Sequence, residues 1–219
     1  MALHRADWNV IIVGRWNRSI FTPAGIGRRL FKLDDLQQLM VAVPLDGVSP
    51  YQVKHPDLGV IVSTEEGRLR INLDKQEYSV LESAMKTGIN ALQWLPETPV
   101  TAAGFNVVFQ SSEPVPQLAS LLQSSVDAKL GEFQHEISGR SLNRTVPFRN
   151  GKLNITLIGE GDNFRVSFNF HKDSSRSVEL IEWLNLPIDE IEKTVIKLLQ
   201  IFDLDVEEYA DVTNSESST

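Results

Sequence analysis

Residues 58–95 read LGVIVSTEEGRLRINLDKQEYSVLESAMKTGINALQWL, and the periodicity changes partway through. Up to Leu73 the apolar residues alternate, and Glu66-Gly67 interrupts them as a turn would. That is the pattern of two antiparallel strands joined by a tight hairpin. From Asp74 onward Tyr78, Leu81, Met85, Ile89, Leu92 and Leu95 recur at steps of three and four. They form one apolar stripe on a helix that needs a sheet to lie on. A hairpin followed by a long amphipathic helix predicts an α+β fold, with antiparallel sheets and helices packed mainly on one face.

The flanks extend this picture. Upstream, strands are expected over 8–13, 38–45 and 51–55, with Thr22 as N-cap and Pro23 as first residue of a short helix to about Phe31. Downstream, a long strand is expected over 98–111. Then come a helix over 117–130, strands over 131–137, 152–158 and 163–171, a short helix over 178–184 and a final helix from Pro187 to about Leu204. The stretch Ser112–Pro116, with two prolines, divides the chain into halves at 1–112 and 113–208. The order hairpin then helix occurs in both halves, which admits a duplicated architecture. Residues 209–219 are polar and aperiodic, the composition of a disordered tail.

Composition narrows the function. The 219 residues carry a net charge of −8, with 42% hydrophobic residues, so a globular core is affordable and a generally basic nucleic-acid binder is not indicated. Absence of cysteine removes disulfides, thiolate nucleophiles and Cys-based zinc sites, and fits a reducing, cytoplasmic setting. No run approaches the ~18 apolar residues of a membrane span.

Chemical motifs are sparse. The four histidines, His4, His55, His135 and His171, form no HExxH or HxH pattern; a metal site would need distant residues brought together, for example His135 with Glu136 and His171. GxSxG is absent. Gly25-Ile26-Gly27 invites a phosphate-loop reading, but Leu30 stands where the third glycine of GxGxxG belongs, and close backbone packing is the simpler reason for the glycines. The acid pairs Asp34-Asp35, Glu65-Glu66 and Glu207-Glu208 lie where carboxylates are ordinarily solvated. No cofactor is implied.

Charge distribution says more. Residues 1–32 carry Arg5, Arg15, Arg18, Arg28, Arg29 and Lys32 against Asp7 alone. Residues 137–159 carry Arg140, Arg144, Arg149 and Lys152 with no acid, whereas 182–219 is strongly acidic. Three readings follow. The basic segments neutralise the acidic C-terminal helix within the molecule; or Arg15, Trp16, Arg18, Arg28 and Arg29 anchor a protein partner, as Arg and Trp often do; or Arg28, Arg29, Arg140, Arg144 and Arg149 hold phosphate or nucleic acid. The final helix adds self-association, because Ile196 and Leu199 widen its apolar stripe. An interaction subunit or adaptor is the leading expectation, an anion or nucleic-acid binder the second, and an enzyme with an unrecognised pocket the third.

The segment Gly14-Arg15-Trp16-Asn17-Arg18-Ser19-Ile20-Phe21-Thr22-Pro23, with Leu30-Phe31 after it and Thr98–Asn106 later, resembles conserved bacterial proteins of unknown function. The resemblance implies a bacterial or phage origin and brings no activity, cofactor or site residue.

Overall fold

The computed structural model describes residues 3–46 and 49–206. Ten strands form one antiparallel sheet: β1 (His4–Arg5), β2 (Asn9–Gly14), β3 (Met40–Ala42), β4 (Gln52–His55), β5 (Val60–Glu65), β6 (Arg68–Leu73), β7 (Val100–Ser111), β8 (Gly139–Phe148), β9 (Gly151–Glu160) and β10 (Asn163–Asp173). Their spatial order is β3-β4-β5-β6-β2-β7-β10-β9-β8, with β1 pairing the far end of β7. The segments 1–112 and 113–208 meet along β7 and β10 within this single sheet.

One face of the sheet is covered by helices and is apolar. Along β10, Phe164, Val166, Phe168 and Phe170 point into the core, while Arg165, Asn169 and His171 take the other face. The helix α2 (Tyr78–Trp94) buries Leu81, Ala84, Met85, Gly88, Ala91 and Leu92. Its Gly88 lies so near the sheet that an added Cβ would stand 3.2 Å from Ile12 and 3.1 Å from Leu184. Beside α2 lie α5 (Ser177–Leu184) and α6 (Ile188–Ile201), α5 also packing on β7, and Trp183 of α5 packs beside Phe105 and Phe148. Each buried Leu, Ile or Phe removes about 1.5–3 kcal/mol worth of apolar surface from water.

The structure departs from the sequence reading at several elements. Residues 131–137 form no strand: helix α4 (Ser125–Glu132) ends in a turn, and Gln134 adopts a left-handed φ of 61°. The strand lies at 139–148 instead. The helix expected over 117–130 is two helices, α3 (Pro116–Leu122) and α4, because Ser124 caps α4 through its hydroxyl. Asp74 is ion-paired with Lys54 at 2.6 Å, leaving Glu77 at the N-cap of α2. The strand expected over 38–45 shrinks to β3. The tail 209–219 lies outside the described residues.

The opposite face of the sheet carries polar side chains in register. Asn9, Asn106, Asn169, Asn154 and Thr145 are direct cross-strand neighbours on β2, β7, β10, β9 and β8. Thr145 donates its hydroxyl to Asn154 (2.9 Å), Asn154 to Asn169 (2.9 Å), Asn169 to Asn106 (2.8 Å), and Asn106 to Asn9 (2.8 Å). Asn9 donates to the backbone carbonyl of Asp7 at 2.9 Å. That carbonyl can only accept, so Asn9 must present its NH2 to it and its oxygen to Asn106. The same constraint passes along every rung, and it obliges Thr145 to donate.

Candidate interaction surface

The segment after β2 is built on buried aromatics. The Trp16 indole N–H donates to the carbonyl of Ile12 at 3.0 Å, and its ring meets Phe21 edge-on at 5.6 Å. Phe21 in turn meets Trp94 of α2 at 5.5 Å. At 7% exposure Trp16 belongs to the core, so the stacking surface expected of it is covered by its own chain. Arg15, Asn17 and Arg18 remain exposed around it, Asn17 capping a 3-10 turn over Arg18–Ile20.

Thr22 then caps α1 (Pro23–Gly25) by accepting from the Gly25 N–H at 3.1 Å, as its position before proline implies. The helix widens into a π-turn over Ile26–Leu30, a form that recurs at functional sites. Ile26 and Leu30 point inward, and Arg28 and Arg29 are left exposed. Gly27 permits the close packing: a Cβ there would lie 2.6 Å from both Leu36 and Leu39. The turn closes through Phe31 N–H on Ile26 O and Leu33 N–H on Gly27 O. Lys32 occupies the left-handed position, φ 59°, where glycine is the least costly residue. Arg18 also lies near Tyr51, whose hydroxyl donates to Phe21 O; burial raises that phenol's pKa and the guanidinium opposes the rise.

Ten of the chain's lysines and arginines form ion pairs with described acids: Lys54, Arg68, Arg70, Lys86, Arg140, Arg149, Lys152, Arg165, Arg176 and Lys193. Arg15, Arg18, Arg28, Arg29 and Lys32 are not among them, and 15–32 contains no acid. Part of this is local: Arg28 and Arg29 sit in the last turn of their helix, where cations favour the dipole.

The second basic segment is placed differently. Arg140 donates to Asp127 at 2.7 Å, and this pairing holds the Asp127 carboxyl below its usual pKa. Arg149 grips Glu190 of α6 through both its Nε (2.6 Å) and an Nη. Those two arginines are thus spent within the molecule, one of them on the acidic C-terminal helix. Arg144 stays exposed and donates to the carbonyl of Asn143. Three strands, β7, β10 and β9, separate β2 from β8, so the two strands run roughly 19 Å apart, and Arg15 just after β2 is set well away from Arg144 on β8.

Sites for chemistry are thin among the described residues. His135 lies on the turn after α4, away from His171 on β10, and no three His, Asp or Glu are grouped as metal ligands. His171 and Lys152 both bind Asp173, at 2.7 and 2.8 Å; hydrogen bonds from Lys152 and then His171 hold that carboxyl down to about 2. His55 is buried against Phe31. A cavity of about 140 Å³ between α3 and the β9–β10 turn is lined by Leu122, Ser138, Arg140 and Phe164. It is smaller than the roughly 300–1,000 Å³ usual for a small-molecule site, whereas wider and more open depressions of about 520, 410 and 340 Å³ lie at Arg28–Asp34, between Gln110 and Arg165, and beside Arg15 and Trp94. No helix among the described residues is long and apolar enough to cross a membrane. No protein-family model and no curated protein matches the chain.

Proposed function

We propose that this protein is a non-enzymatic interaction subunit or adaptor of a bacterial complex, and that it holds an acidic surface of a partner protein with Arg15, Arg18, Arg28, Arg29 and Lys32. One observation carries the reading. In an acidic chain that pairs about half of its cations internally, these five share one short segment and have no described acidic partner. The buried Trp16–Phe21–Trp94 cluster supports the segment from beneath, which lowers the ordering cost of binding. Beside Arg15, the half-exposed Ile20 and Trp94 line a shallow depression that offers an apolar contact next to the charges.

The test is affinity purification of the tagged wild-type chain, an Arg15→Ala/Arg18→Ala variant and an Arg28→Ala/Arg29→Ala variant, at low and moderate salt. A stoichiometric protein partner that follows the wild type and is lost from variants with unchanged circular dichroism supports the reading. Retention of that partner by both variants refutes it. Nucleic acid that co-purifies and leaves at moderate salt would point to the second reading, an anion or nucleic-acid binder using Arg28, Arg29 and Arg144, the cations of that set not paired internally.

A further inference from the structure

We propose that β8 is the interface of a two-fold homodimer in which two copies of the chain join their sheets edge to edge. β8 spans Gly139–Phe148 and, among the described residues, pairs with β9 alone, so its outer backbone groups have no described strand partner. A long unpaired edge is a template for another strand, and an antiparallel two-fold pairing is the arrangement in which a strand serves as its own partner.

The pleat restricts the register. Directly opposed residues share a face, so under a two-fold axis a residue must face one of its own parity. Two registers then pair most of the strand. One centres on Arg144 and sets the two Arg144 side chains against each other. The other centres on Asn143 and pairs residues 139–147 of each copy, with Arg144 opposite Leu142 and Arg140 opposite Val146. The second avoids the like charges.

The asparagine row selects the same register. Its direction is fixed from Asp7, so Thr145 has given its proton to Asn154 and its oxygen can only accept from outside. With Asn143 on the axis, Thr145 faces Ser141 of the second copy, an exposed hydroxyl with a proton to give. Symmetry makes this contact twice and joins the two rows.

The surroundings fit a second copy. Helix α4 buries none of its residues, and Val126, Leu130 and Phe133 are 53, 37 and 76% exposed. Val146 on β8 is 39% exposed, beyond the cover that α3 gives to the other end of the strand. The charges complement one another as well: Arg144 has no described acidic partner, and Glu132 and Glu136, beside the start of β8, have no described cationic one.

The chain contains no cysteine, which gives a clean test. Sedimentation of the full chain should show a mass approaching twice 24.6 kDa as concentration rises. Asn143→Cys should form a covalent dimer under mild oxidation, since cross-strand Cα separations of about 4.5–5.5 Å suit a disulfide. Arg144→Cys should cross-link far less. Asn143→Asp still accepts the Thr156 hydroxyl but sets two carboxylates against each other on the axis, and should weaken dimerisation at least tenfold with the fold intact. Three results would overturn the proposal: a monomer at every concentration, cross-linking of Arg144→Cys in preference to Asn143→Cys, or a dimer indifferent to Asn143→Asp.

Discussion

Replacing Asn106 by alanine interrupts the asparagine row between Asn9 and Asn169. Asn106 donates to Asn9 and accepts from Asn169, both at 2.8 Å, so two hydrogen bonds are lost. Each is worth about 0.5–1.5 kcal/mol net, and the half-buried site lets water reach the orphaned groups, so a loss of about 1–2 kcal/mol is expected. For a chain of this size that lowers Tm by about 2–8 °C. Urea unfolding followed by tryptophan fluorescence measures it, and the urea dependence should be unchanged because the same surface is exposed. Asn169→Ala should cost a similar amount. The double variant should fall short of the sum by about 1 kcal/mol, because both single changes delete the bond the two residues share. Asn106→Asp tests the direction of the row: aspartate accepts from Asn169 but offers Asn9 no proton, so at neutral pH it should be no milder than alanine. Strict additivity of the two alanines, or a harmless Asn106→Asp, would refute the reasoning.

Trp16→Ala should destabilise by about 3–5 kcal/mol in urea unfolding, as expected of a core aromatic, whereas Arg149→Ala should leave the urea midpoint almost unchanged despite its paired contact with the half-buried Glu190, because the pair is open to solvent. Gly104→Ala would bring a Cβ to 2.5 Å from the Phe170 carbonyl, forcing β7 and β10 apart, and should lower Tm by several degrees. Asp173 is held down to about 2 in the folded chain against an ordinary 3.8, so its contribution is full above that ordinary value and is lost as pH falls through about 2. Carbon-13 titration of its carboxyl should show the low midpoint, and Asp173→Asn should flatten that part of the acid-unfolding curve.

The sequence carried the buried elements well because burial imposes a period. Residues 68–73 and the stripe of α2 are legible for that reason, and Thr22-Pro23 marked its helix start through capping chemistry alone. β8 was illegible: as an edge strand half free of the core, GRSLNRTVPF does not need to alternate. Conversely Phe133, His135 and Ile137 alternate without forming a strand, and the apolar residues Leu118 to Leu130 run unbroken across the turn that separates α3 from α4. For the surface, local charge counts singled out Arg15, Arg18, Arg28 and Arg29, which the fold leaves exposed. They could not show that Trp16 turns inward to Phe21, or that Arg140 and Arg149 meet acids 13 and 41 residues away. The asparagine row was equally hidden, since its members are brought together only by strand pairing.

The place of Gly88 has a consequence for synthesis. Ile12 and Ile71 reach that glycine from the sheet, and Leu184 reaches it from α5. On a ribosome the first two emerge before α2 and the third well after it. A nascent chain with α2 docked on β2 and β6 therefore shows a bare apolar face, with the edge of β2 open as well, until β7 and then α5 arrive. The interval in which such a chain is sticky is set by the distance from residue 94 to residue 184, and a holding chaperone would have most to cover there.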